Sequence, residues 1–205
     1  MTGPIEQPPS HAQADHPAPA AAPARGLFLV GFSGTGKSAV AALVGVRLGW
    51  SVHDLDRVIA EQAGMTVPEI FQREGEPGFR RRESEALRAI SAQGRFVVAT
   101  GAGAAVSADN RRLMGERGWI VSLEARPETI HRRIQRQLGR SAPDAVRPLL
   151  DTPDPLEQIR ALKQSRQPIY ALADWTVHTD RLGLEQVAEE IVRARAILDM
   201  AAARR

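Results

Sequence analysis

The chain has 205 residues, 43% of them hydrophobic, and a formal net charge of +3, which is enough apolar material for one ordinary domain and too little for two. Its basic residues are almost all arginine, so a pI of about 10.1 overstates the charge and gives no argument for a nucleic-acid partner. The absence of cysteine excludes disulfides, thiolate metal sites and a cysteine nucleophile, and no apolar run approaches the roughly 18 residues of a membrane span.

Residues 1–25 are dominated by Pro, Ala and small polar residues and cannot bury enough apolar area to offset the entropy of ordering. They read as a disordered tail. Lacking the charged start and apolar core of a secretory signal, they point to a cytoplasmic protein. Residues 26–205 read as a single domain. Short apolar runs at 27–31, 50–56, 95–100, 119–124 and 175–179 alternate there with helical stretches. Such βαβ alternation predicts an α/β fold, a five-stranded parallel sheet with helices on both faces.

After the first run, "GFSGTGKS" (31–38) matches G-x-x-x-x-G-K-[ST] between a strand and a helix opening at Lys37. Glycines let successive amides of such a loop face a phosphate, and the helix N-terminus adds partial positive charge. Lys37 can reach the outer phosphates, and the Ser38 hydroxyl can bind Mg²⁺. Lysine is almost unused elsewhere, yet a compact ammonium stands here, where a planar guanidinium would not be equivalent.

At the second strand, "HDLDRVIAEQAG" places Asp54 and Asp56 two residues apart. On a strand end they point the same way, toward the carboxyl edge of the sheet where such folds bind ligands. One carboxylate could serve a metal and the other a substrate hydroxyl; equally, Asp56 could cap the next helix with Asp54 merely solvated. "EPGFRRRESEAL" follows, in which Arg80, Arg81 and Arg82 with Glu83 and Glu85 read by themselves as an ion-paired helix face.

"ATGAGAAV" (99–106) looks like a second glycine loop. Alanine fits at position 102 if φ there is negative, with Gly101 and Gly103 left to take the unusual backbone angles. Residues 139–153, with three prolines and interleaved arginines, read as a mobile loop. "KQSRQPIYALAD" then offers Arg166 before Pro168 and Tyr170, and an amphipathic helix closes the chain.

Together and in order, "GFSGTGKS", "HDLDRVIAEQAG", "VPEIFQREGEPGFRRRESEAL", "ATGAGAAV", "VRPLL" and "SRQPIY" resemble the shikimate kinases, from about Gly26 to the final helix. The resemblance implies a P-loop, nucleoside-monophosphate-kinase-like three-layer sandwich with a substrate-binding helical region at about 56–92 and a mobile lid at about 139–153. It implies transfer of the γ-phosphate of ATP to the 3-hydroxyl of shikimate, with ATP and Mg²⁺ as cofactors, by a monomer without nucleic-acid or membrane partners. Gly34, Thr35, Gly36, Lys37, Ser38, Ala39, Arg140 and Arg147 would then hold the nucleotide, and Ser38 and Asp54 the metal. Asp56, Arg80, Gly101, Ala102, Gly103 and Arg166 would hold the substrate. Asp56 would be the base, Lys37 and Arg147 would complete the catalytic set, and Glu83 would support Arg80. The family's usual triple glycine is Gly101, Ala102, Gly103 here. A P-loop kinase for another small hydroxy acid such as gluconate, and a non-catalytic ligand sensor on the same fold, stay open as alternatives.

Overall fold

The computed structural model describes residues 25–138 and 152–204. Five strands form one parallel sheet in the order β2-β3-β1-β4-β5: β1 Gly26–Val30, β2 Ser51–Asp54, β3 Phe96–Ala99, β4 Gly118–Glu124 and β5 Trp175–His178. The helices are α1 Lys37–Leu48, α2 Leu55–Ala63, α3 Val67–Ser91, α4 Ala108–Arg117, α5 Pro127–Leu138, α6 Pro155–Tyr170 and α7 Leu184–Ala202, with a 3₁₀ turn at Ala104–Val106. The expected α/β architecture is present; the tail expected at 1–25 and the lid expected at 139–153 lie almost wholly outside the described residues.

The inner strands read as unbroken apolar runs because both faces of the sheet are covered. Every residue of β1 and β3 is buried. On one face Leu27, Leu29 and Val97 pack against Val40 and Val44 of α1 and Val187 and Ile191 of α7. On the other, Phe28, Val30, Phe96 and Val98 meet Leu55, Ile70, Leu87, Ile130 and Ile159 from α2, α3, α5 and α6.

Local signals set the helix ends. Gly49 closes α1 in the left-handed conformation, and Thr66 with Glu69 forms a capping box at the start of α3. Within α3 the chain kinks at Gly75, where φ is 67°, so that Pro77 falls in the first turn of a restarted segment, where its missing N–H breaks no helical bond. That segment carries Arg80 and Glu83.

The second strand is shorter than its sequence run, ending at Asp54 rather than 56. The Asp54 side chain accepts the Arg57 N–H and caps α2, so the chain turns helical at once and Asp56 sits in the first helical turn. Asp54, not Asp56, is therefore the capping residue. Since β3 lies between β2 and β1, the carboxyl ends of three adjacent strands set Asp54, the 100–103 loop and the 31–38 loop side by side.

Candidate active site

The loop leaving β1 depends on glycine: φ is 133° at Gly31, 81° at Gly34 and 101° at Gly36, values that L side chains rarely adopt. Thr35 Oγ1 donates to the Phe32 carbonyl at 2.9 Å and closes the loop on itself. Gly36 caps α1 without any side chain, which leaves the first helical amides to an incoming anion. Lys37 is buried, and its Nζ donates to the Gly31 and Phe32 carbonyls at 2.9 Å each. Its charge is thus held against the loop that would receive phosphates. Ser33, Gly34, Gly36, Lys37, Ser38, Ala39, Asp54, Asp56, Thr100 and Ala102 line one cleft of about 160 Å³.

Ser38 Oγ donates to Asp54 Oδ2 at 2.5 Å, across the mouth of that cleft. A hydroxyl and a carboxylate are hard oxygen donors of the kind Mg²⁺ takes, one or two from protein and the rest from phosphates and water. The residues therefore fit a nucleotide-bound divalent cation. Asp56, two residues further on in the first turn of α2, lines the same cleft.

The second glycine loop is shaped by crowding rather than by backbone angle. Among the described residues no non-glycine residue has positive φ, and neither Gly101 nor Gly103 has one, φ at Gly103 being −103°. The two glycines do not take the unusual angles expected of them. A methyl on Gly101 would stand 2.7 Å from Asp56 Oδ1 and 3.0 Å from Glu83 Oε1, and one on Gly103 would stand 2.5 Å from Arg80 Nη1. Both close approaches need the missing Cβ. Ala102, between them, lines the cleft and has no positive φ for its methyl to strain.

Arg80 is held from below. Its Nη1 donates to both Glu83 oxygens, at 2.9 and 3.1 Å, and Nη2 to Glu76 at 3.1 Å. Glu83 is fully buried; burial pushes its carboxyl up, against the opposing pull of Arg80. Desolvation weighs on Arg80 too, but Glu83 and Glu76 outweigh it and leave its pKa raised. Of the three consecutive arginines Arg80 packs against Gly103, whereas Arg82 pairs with Glu74 at 2.7 Å across the kink and Arg81 is exposed. From the other side Arg166 of α6 reaches Ala102 O at 3.4 Å and stands 5.8 Å over the Phe32 ring. Arg80 and Arg166, far apart in the chain, thus flank one dipeptide, Ala102–Gly103.

Three residues of the surround were given no role by the sequence. Thr100 ties the end of β3 to β1 through Leu29 O, at 3.0 Å from its hydroxyl. Arg133 of α5 donates to Thr179 O at 2.6 Å and to Thr35 O at 3.4 Å, bracing the phosphate loop against the turn after β5. Tyr170, at the end of α6, donates to Ala102 O at 2.7 Å. Arg140 and Arg147 lie outside the described residues.

A family model described as "Shikimate kinase" matches residues 33–196. The shikimate kinase of Symbiobacterium thermophilum is 44% identical over 168 residues, 81% of this chain and 93% of the relative. That of Geobacter metallireducens is 41% identical, covering 82% and 89%. Among solved structures, the shikimate kinase of Acinetobacter baumannii in complex with shikimate superposes with a TM-score of 0.75 at 33% identity, over 83% of this chain and 92% of that one. A gluconokinase of Sinorhizobium meliloti reaches a TM-score of 0.56 at 15% identity, over 88% and 96%, a likeness of fold alone.

Proposed function

The chain belongs to the shikimate kinase family, and from that premise we propose that it transfers the γ-phosphate of ATP to the 3-hydroxyl of shikimate, giving shikimate 3-phosphate and ADP. It is an ATP-dependent phosphotransferase with an alcohol acceptor. The observation that carries the choice of acceptor is the meeting of Arg80 and Arg166 at Ala102–Gly103. Two guanidinium forks there suit a carboxylate, and a neutral sugar would give them nothing to pair with.

The proposed division of labour follows from position. The loop amides of Gly34 to Ser38, with Ala39 behind them, and the Lys37 ammonium hold the phosphates, and Ser38 with Asp54 holds Mg²⁺ directly or through water. When bound, the cation neutralises charge on the transferring group. Asp56 orients the acceptor hydroxyl and takes its proton as the bond to phosphorus forms. Arg80 and Arg166 grip the carboxylate, the amides of the 101–103 loop meet the ring substituents, and Glu83 keeps Arg80 pointed. Arg140 is assigned to adenine and Arg147 to the transferred phosphate by the family resemblance. The enzyme is proposed to act as a cytoplasmic monomer on free substrate, without nucleic-acid or membrane partners; among the described residues no helix is long and apolar enough to cross a membrane.

The test is product analysis. Purified protein with ATP, Mg²⁺ and shikimate is expected to release ADP and one phosphomonoester, placed on the 3-oxygen by phosphorus–proton coupling. A different ester, or ADP without an ester, overturns the assignment.

A further inference from the structure

We propose that Tyr170 is a positioning residue for the acceptor substrate: its phenol fixes the Ala102–Gly103 peptide plane and leaves Arg166 available to the substrate carboxylate. The inference rests on the function proposed above.

Tyr170 is 1% exposed, and a buried phenol requires a hydrogen-bond partner. A neighbouring helix carbonyl would serve, yet the acceptor is Ala102 O at 2.7 Å, 68 residues away in sequence and in the middle of the glycine loop. Arg166, one turn earlier on α6, donates to the same oxygen over a longer 3.4 Å. The chain has no cis peptide bond among the described residues, so C=O and N–H lie on opposite edges of each peptide plane. Tethering Ala102 O to α6 therefore turns the Gly103 N–H away from α6, and among the described residues that N–H donates to no protein acceptor. Arg80 packs against the same Gly103. One hydroxyl thus sets the direction of a substrate-facing amide between the two arginines.

It also settles a competition. Without the phenolic O–H, the Ala102 carbonyl keeps only Arg166, and a buried acceptor left short of a partner draws in the nearest donor. Arg166 is then pulled onto the loop and away from the carboxylate it is proposed to grip. Burial holds the phenol pKa up at about 12, against the charge of Arg166, so the donor stays protonated at neutral pH.

The experiment is Tyr170→Phe in the full chain, assayed at steady state. Expected is a rise of about 5- to 20-fold in KM for shikimate, with KM for ATP within about twofold of the parent. Unchanged KM for shikimate, or equal rises in both KM values, overturns the proposal, the second outcome marking a merely structural residue. The chain has a single tyrosine, so growth on 3-fluorotyrosine labels this site without a substitution should the variant fail to fold. Its one fluorine resonance is expected to shift with saturating shikimate and not with ATP alone; no shift with shikimate overturns the proposal. A parent that does not phosphorylate shikimate sinks the functional reading itself, whereas an active parent with an indifferent Tyr170→Phe sinks only this inference.

Discussion

Ser38 and Asp54 are joined by a hydrogen bond of 2.5 Å that ties the first turn of α1 to the end of β2. Under the proposed function this pair would share one divalent cation with the nucleotide. Ser38→Ala removes the hydroxyl and leaves α1 intact, so the cost is expected to fall on the metal. A magnesium titration at saturating ATP and shikimate should move its half-maximal point up by about tenfold or more. An unchanged titration would remove Ser38 from the metal site.

The glycine loop gives a paired comparison. Gly103→Ala drives a methyl to 2.5 Å from Arg80 Nη1, so Arg80 has to leave its place over Glu83, and KM for shikimate is expected to rise at least tenfold, about 1.4 kcal/mol. Ala102→Gly relieves nothing, because φ at 102 is not positive, and is expected to change KM by less than about twofold. Steady-state kinetics on the two variants checks both. A large gain from Ala102→Gly would show that the methyl obstructs the site.

This loop also marks where the sequence stops being legible. The 31–38 loop could be read from its letters because strand, glycines and helix start are local features, and three positive φ values answer to three glycines. In "ATGAGAAV" the same letters stand for something else, since a glycine kept for a neighbour's side chain looks identical to one kept for its own φ. The neighbours that decide it, Asp56, Glu83 and Arg80, come from other elements. Asp54 and Asp56 were legible as a pair but not as a cap and a first-turn residue, because a strand-end aspartate and an N-cap share one residue type. "FRRRE" could not say which arginine turns inward, as that depends on the kink at Gly75. The roles of Arg133 and Tyr170 were not legible because their partners lie 46 to 98 residues away.

Glu83 supplies a dependence on pH. Burial raises its carboxyl above the ordinary value of 4.5, so the folded state holds that proton more tightly than the unfolded chain. The stability this lends is complete below about pH 4.5 and is lost as pH rises through the raised folded value. Glu83→Gln keeps the shape and does not titrate. Urea midpoints are therefore expected to shift in favour of the variant as pH rises from 4.5 toward neutrality, while KM for shikimate worsens because Arg80 loses its charged support. A shift in favour of the parent would contradict the raised carboxyl.

The proposed function requires a carboxylate held by Arg80 and Arg166 beside an ATP-loaded phosphate loop. Its most direct measurement is kcat/KM, with ATP and Mg²⁺, for shikimate, shikimate methyl ester and gluconate. Shikimate is expected to exceed both others by at least about a hundredfold, because the ester leaves the two guanidinium groups without a charge to pair and gluconate lacks the ring. No ADP release with shikimate, or an ester turned over as well as the acid, would contradict it.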